Sequence, residues 1–196
     1  MTILGITGPT GSGKTTALQC IEDRGGCVLD LDAIYHGLLK TNAHLLAELD
    51  GRFPGVVRDG ALDRKALGNI VFVDKVALAD LNAITGGYIL AETNRLLTKA
   101  EAEGRTLAAI DAINLLEGEL PQRCTYTIAV TAPVEVRVKR LMVRDGISQE
   151  YARLRISAQP PNEYFETRCD YTLFNDAGSP EEFYLRCNRL LDMILH

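Results

Sequence analysis

Eight consecutive residues, Gly8-Pro9-Thr10-Gly11-Ser12-Gly13-Lys14-Thr15, fit the pattern GxxxxGK[ST] without a gap. The glycines matter because a loop that grips polyphosphate must curl its backbone N–H groups around phosphate oxygens with no side chains in the way. In that pattern Gly8, Gly11, Ser12 and Gly13 line the curl and Thr16 lies just beyond it. Lys14 brings a point charge to the β- and γ-phosphates, and the Thr15 hydroxyl is suited to sit on Mg²⁺. The helix that follows aims the positive end of its dipole at the same anion. The expected chemistry is the binding of a nucleoside triphosphate such as ATP together with Mg²⁺. The loop alone leaves open which reaction follows.

Three acids fall where such a reaction needs them. Asp30 and Asp32 close the apolar run that starts at Cys27. Read as a strand, positions i and i+2 face the same side, and the carboxyl ends of strands form the ligand crevice of an open α/β sheet. An acid there can accept the proton of an acceptor hydroxyl or help to hold the metal, or it can cap the next helix. An aspartate carboxyl in water titrates near ~3.9, far below an alcohol. Asp32 is therefore expected mainly to orient the nucleophile and to take its proton late. Asp111 ends the run from Thr106 to Ile110 in the manner of a Walker-B acid, a candidate Mg²⁺ partner through water.

Basic charge is concentrated between Arg137 and Arg155, where six basic residues stand against two acids. Arg137, Arg140 and Arg144, spaced i, i+3, i+7, fall on one helical face. Asp145-Gly146 then breaks the helix before Ser148 restarts it. A hinged, arginine-bearing lid of this kind can close over ATP, exclude water and stabilise charge on a transferring phosphoryl group; the alternative is a solvated basic face. His36 and His44 have no metal-ligand partner at useful spacing. Tyr164, Phe165 and Tyr171 read as packing residues. The loop Asn175–Ser179 either touches the nucleotide base or is an ordinary turn.

The elements that must position these residues are short β-branched runs alternating with longer helical patterns. Strands are expected at Thr2–Thr7, Cys27–Leu31, Thr106–Asp111, Thr125–Thr131 and Asp170–Leu173. Each is apolar without in/out alternation, as strands of a parallel sheet covered on both faces are. The class is α/β. Gly25-Gly26 stops the first helix, while Asp63 caps a helix from Arg64 to Phe72 and Ser148 one through Ser157. Ser179-Pro180-Glu181-Glu182 is a capping box with proline at the first helical position. The stretch from Ala33 to Arg105 reads as almost all helix, with a break or kink at Gly86-Gly87. It is too long for one crossover and suggests an insertion that forms part of a substrate pocket. The expected division is a core of 1–32, 105–136 and 170–196, a helical acceptor-binding insertion at about 33–104, and a lid at about 137–169.

Composition narrows the function class. The chain has 196 residues, 46% of them hydrophobic, and a formal net charge of −5. That size suits one domain with a sufficient core. The acidic balance argues against nucleic-acid or anionic-membrane binding. Five cysteines form no CxxC pair, which fits a reducing cytosol better than a disulfide framework. No apolar stretch is long enough to span a bilayer, and the start lacks the basic region of a signal peptide. A cytoplasmic protein acting on small molecules is expected, as a monomer or small homo-oligomer.

The order of motifs resembles the dephospho-CoA kinase family over nearly the whole chain. The resemblance rests on the phosphate loop, VLDLDAIYH, RFPG, LDRKALGNIVF, the Asp111 strand followed by LLE, RVKRLMVRDGIS, RISAQPP and FNDAGSPEEF. It implies a P-loop kinase-type three-layer α/β fold with a five-stranded parallel sheet, a helical substrate-binding insertion and an arginine-bearing lid. It implies transfer of the ATP γ-phosphoryl group to the ribose 3′-hydroxyl of dephospho-CoA, giving CoA and ADP. By matching positions, Asp32 is the implied catalytic base. Arg64 contacts the acceptor or a phosphate, and Arg140 with Arg144 clamps phosphates from the lid. The chain departs from the family's pattern at Gly86-Gly87, Ile113-Asn114-Leu115 and Phe165. Two alternatives stay in view: a kinase for another nucleoside- or nucleotide-like acceptor, motivated by Gly86-Gly87 and Phe165, and a nucleotide-binding protein that keeps the phosphate loop without kinase activity.

Overall fold

Strands form here where a short apolar run is buried from both sides. In the computed structural model, which describes residues 1–176 and 178–195, the elements follow in chain order. They are β1 (Thr2–Thr7), α1 (Lys14–Asp23), β2 (Cys27–Asp30), α2 (Leu31–Thr41), α3 (Ala43–Arg52), β3 (Val57–Arg58), β4 (Ala61–Leu62), α4 (Arg64–Val71), α5 (Lys75–Ala102), β5 (Leu107–Asp111), β6 (Tyr126–Thr131), α6 (Val134–Asp145), α7 (Gln149–Ser157), α8 (Asn162–Glu166), β7 (Tyr171–Phe174) and α9 (Pro180–Ile194). Ala177, in the loop singled out above, lies outside the described residues. The chain divides into two compact units, one of residues 1–29 with 100–196 and one of residues 30–99.

The larger unit is built on the five-stranded sheet, in the order β2-β5-β1-β6-β7. β1 runs parallel to β5, with Ile6 opposite Asp111, and parallel to β6 on its other side; β6 in turn runs parallel to β7. Alternate residues of the central strands face opposite ways. Leu4, Ile6, Ile128, Val130 and Leu173 pack with Ala17, Cys20 and Ile21 of α1 and with Phe183, Cys187 and Leu191 of α9. Burying each such Leu, Ile or Phe contributes on the order of 2 kcal/mol. The opposite face is also dry: Ala108, Ile110 and Ala129 are buried, and the Thr131 hydroxyl donates to Glu166 Oε1 of α8 at 2.7 Å. Phe165 is fully buried and meets Tyr164 edge-on, so this departure from the family pattern is a packing residue. The five cysteines are free thiols.

Caps written in the sequence are made. The Ser148 and Ser179 hydroxyls accept from the N–H groups of Tyr151 and Glu182, and Gly25 and Gly26 donate back to the carbonyls of Glu22 and Ile21. α6 and α7 form a hairpin around Val138, Leu141, Ala152 and Ile156.

The smaller unit is a helical cluster around Leu45, Leu49, Phe53, Leu67 and Val71. Asp63 caps α4 through the N–H groups of Lys65 and Ala66. The structure corrects the sequence reading at three points. First, the stretch read as almost all helix, and mostly helical, also holds an unforeseen hairpin, where β3 and β4 pair antiparallel across a turn in which Asp59 and Gly60 both have positive φ, 51° and 75°. Second, α5 runs unbroken through Gly86-Gly87 for 28 residues. A helical glycine costs about 1 kcal/mol relative to alanine. The flanking Leu81, Ile84, Tyr88 and Ile89 pack on the cluster and hold the helix through the pair. Third, β2 ends at Asp30, and Asp32 lies in the first turn of α2. The expectation that Asp30 and Asp32 share one strand face therefore fails.

Candidate active site

β1 feeds directly into the phosphate loop, whose shape its neighbours impose. Gly8 has φ 137°, and a Cβ there would stand 2.0 Å from the carbonyl oxygen of Val130 in β6. Gly13, the residue before α1, has φ 107°, and a Cβ would fall 2.3 Å from Asn175 Nδ2. Neither position accepts a side chain.

The carbonyls of the loop are held from behind. Arg137 Nε donates to Thr10 O at 2.9 Å. Arg140 Nη1 donates to Gly11 O at 3.2 Å and to Ser12 O at 3.1 Å. Asn175 Nδ2 also donates to Ser12 O, at 2.8 Å, while its Oδ1 accepts from Arg140 Nη2. The Thr10 N–H donates to Gln159 Oε1 at 2.8 Å. A trans peptide points its C=O and N–H in opposite directions. Fixing the Thr10 and Ser12 carbonyls therefore turns the N–H groups of Gly11 and Gly13 to the other side, toward an anion. The Ser12 hydroxyl is buried with no hydrogen-bond partner, the state of a donor whose acceptor arrives with a ligand. Lys14 Nζ donates to Gly8 O at 3.0 Å.

Thr15 and Thr16 open α1, and Asp111 ends β5 opposite Ile6 of β1. The larger unit thus gathers Gly8, Gly11, Ser12, Gly13, Lys14, Thr15, Thr16 and Arg140 around one loop. Burial pushes the Arg137 and Arg140 guanidinium groups below their usual pKa, because a charge removed from water is disfavoured; arginine nonetheless stays protonated at neutral pH.

Arg144 is placed differently. It lies at the exposed end of α6 and donates to Asp145 through Nε and Nη2 at 2.7 and 3.0 Å, and Arg155 Nη1 reaches the same carboxylate at 2.6 Å. These two arginines hold the Asp145 carboxyl down at about 2. A carboxyl depressed in the folded state stabilises above its unfolded value of ~3.9, and the contribution is lost as pH falls toward the folded value. A carbon-detected NMR titration should find the Asp145 midpoint near 2, with the α6–α7 turn loosening below it. A midpoint at the unfolded value would show that the two arginines do not hold the group.

In the smaller unit, the Asp30 carboxylate accepts from the Ala33 N–H at 3.0 Å and caps α2. Asp32 is exposed, one helical turn before His36. Arg64 Nη2 donates to His36 Nδ1 at 3.0 Å. Both residues line a cavity of about 620 Å³ with Lys40, Leu39 and the Gly60–Leu62 segment. That lining is basic and, among the described residues, carries no acid.

Sequence reasoning missed Gln159, and it did not see that Arg137 and Asn175 brace the loop. The Ala-Gln dipeptide after a lid helix was visible but pointed to no contact. His36, which has no metal-ligand partner at useful spacing, is exposed on α2 and accepts from Arg64.

A dephospho-CoA kinase family model matches residues 2–181. The chain is similar to the dephospho-CoA kinase of Anaeromyxobacter dehalogenans, 36% identical over 193 residues, covering 97% of this chain and 91% of that protein. It is similar to the crystal structure of TT1252 from Thermus thermophilus, with TM-score 0.78, 34% identity and coverage of 98% and 97%. It is also similar to the structure of a dephospho-CoA kinase from Campylobacter jejuni, with TM-score 0.61, 25% identity and the same coverages.

Proposed function

This chain belongs to the dephospho-CoA kinase family, and from that premise we propose that it transfers the γ-phosphoryl group of ATP to the 3′-hydroxyl of dephospho-CoA, giving CoA and ADP. The observation that carries the reading is the family match across residues 2–181, which takes in the phosphate loop, Asp32, Arg64 and the arginines of α6 together.

The residues divide the work. The backbone of Gly8, Gly11, Ser12 and Gly13 cradles the triphosphate, with Thr16 at the start of α1. Lys14 leaves Gly8 O for the β- and γ-phosphates, where it offsets charge as the leaving group departs. Arg140, bonded to the Gly11 and Ser12 carbonyls, acts through the loop it braces and adds positive charge behind the phosphates. Arg144 exchanges Asp145 for nucleotide phosphate. Asp32 orients the acceptor hydroxyl and receives its proton. Arg64 binds the acceptor, and Asp111 supports the metal side of the site.

The residues present fit Mg²⁺. That cation keeps several waters and takes one or two protein ligands beside substrate phosphates. Among the described residues no three His, Cys, Asp or Glu side chains form a cage. Thr15 would hold the ion through its hydroxyl and Asp111 through water. When bound, Mg²⁺ neutralises charge on the β- and γ-phosphate oxygens. No helix among the described residues is long and apolar enough to cross a membrane. The reading places the chain in the cytoplasm, as a monomer or small homo-oligomer working on small molecules rather than nucleic acid.

The test is ADP release coupled to CoA formation with ATP, Mg²⁺ and dephospho-CoA, run beside Lys14→Ala. Expected are CoA from the wild-type chain and a joint loss of ATP affinity and turnover in the variant. A folded wild-type chain that forms no CoA, or a Lys14→Ala chain with unchanged affinity and rate, would count against the reading.

A further inference from the structure

The five arginines of the 137–155 segment differ in how their charge is met, and half-buried Arg140 meets the neutral acceptors Gly11 O, Ser12 O and Asn175 Oδ1. Arg144 and Arg155 share Asp145, and Arg153 pairs with Glu135 at 2.8 Å. All three are at least partly exposed. Arg137 is 2% exposed. Its guanidinium meets only neutral acceptors: Thr10 O at 2.9 Å, Gln159 Oε1 at 3.4 Å and Asn162 Oδ1 at 3.5 Å. Among the described residues no carboxylate stands within ion-pair distance of it. A buried charge is ordinarily paired, and in a chain of net charge −5 acids are not scarce. The one arginine of the segment that is almost wholly buried is thus left without a counter-charge, directly behind an anion-binding loop.

Its contacts are specific to that loop. Arg137 takes the carbonyl of Thr10, and Gln159 takes the N–H of the same residue while accepting from Arg137 Nη2. Both polar groups of the Thr10 backbone are therefore fixed by one pair of side chains, and the Gly11 N–H on the far side of that peptide is aimed with them. A second observation points the same way: the neighbouring Ser12 hydroxyl is also buried without a partner. A positive charge and a donor, both unsatisfied by protein, meet at one loop.

We propose that Arg137 is a positioning residue for the phosphate loop and that the polyphosphate of bound nucleotide is the counter-charge the protein omits. The proposal rests on the nucleotide-binding reading above. A carboxylate in place of Asn162 or Gln159 would neutralise the guanidinium in advance and weaken its pull on the nucleotide; neutral acceptors hold its geometry and leave its field intact. Arg137 touches the loop rather than the substrate, so its effect travels through Thr10.

The experiment compares wild type, Arg137→Met, Arg137→Lys and Gln159→Leu by ATP titration, by steady-state kinetics in both substrates, and by melting with and without Mg²⁺–ATP. Arg137→Met is expected to raise the ATP Kd at least about tenfold and to abolish most of the nucleotide-induced rise in Tm, with a much smaller change in the nucleotide-free Tm. Arg137→Lys should recover part of the affinity, since it keeps the charge but not the planar fork of donors. Gln159→Leu should raise the KM for ATP and leave that for dephospho-CoA unchanged. An Arg137→Met chain that melts lower without nucleotide yet binds ATP like wild type overturns the proposal. If that variant does not fold, a wild-type KM for ATP in Gln159→Leu overturns it. Failure of the wild-type chain to bind ATP would instead remove the reading beneath it.

Discussion

Asp32→Asn is expected to lower kcat at least ~10²-fold while leaving ATP affinity close to wild type. Asparagine matches aspartate in size and can still lie beside a hydroxyl, but it cannot take the proton. The structure separates the two neighbouring acids by their local work. Asp30 is occupied in capping α2 through Ala33 N, whereas the Asp32 side chain has no hydrogen-bond or ion-pair partner among the described residues and lies exposed in the first helical turn. Asp30→Asn is therefore the informative companion, because asparagine caps as well as aspartate does and turnover should hardly change. Steady-state rates with dephospho-CoA, set beside calorimetric ATP binding, check both. Equal losses in the two variants, or a loss confined to Asp30→Asn, would move the proton acceptor elsewhere.

The second large effect is structural. Gly8→Ala is expected to destabilise the fold by at least about 3 kcal/mol and to remove ATP binding. Two penalties act at once: φ 137° is hostile to a side chain, and the added carbon meets the Val130 carbonyl of β6 at 2.0 Å. That carbonyl belongs to a central strand and cannot retreat. Gly86→Ala is the contrast: it lies on an exposed stretch of α5 with nothing within 4 Å, and there alanine should stabilise by up to about 1 kcal/mol. Urea denaturation of the two variants measures the difference. A Gly8→Ala chain as stable as wild type would mean that β1 and β6 do not approach as closely as the structure places them.

What could be read from the sequence follows a physical line. The strands were legible because burial on both faces writes them as unbroken apolar runs; β1 appears from Thr2 to Thr7 as expected, and the other four shift by a residue at one end or both. Caps at Ser148, Asp63 and Ser179 were legible because a single side chain makes them. The β3–β4 pair was missed, since two-residue strands show no alternation; the Asp59-Gly60 dipeptide, a favoured two-residue hairpin turn, was the available signal. The end of β2 was misjudged because Leu31 continues the apolar run although Asp30 has already begun the helix. The brace behind the phosphate loop lay beyond pattern reading altogether. Gln159 and Asn175 are 149 and 163 positions from their partners in the loop. No spacing rule tells a buried arginine on backbone carbonyls from a solvated one on the same helical face.

That brace has a kinetic consequence. Thr10, Gly11 and Ser12 are tied to guanidinium and carboxamide groups of the protein itself, so little of the loop's conformational entropy remains to be lost when a ligand arrives. At the loop, association is then governed by collision and by the displacement of water and small ions, with no slow ordering step in that segment.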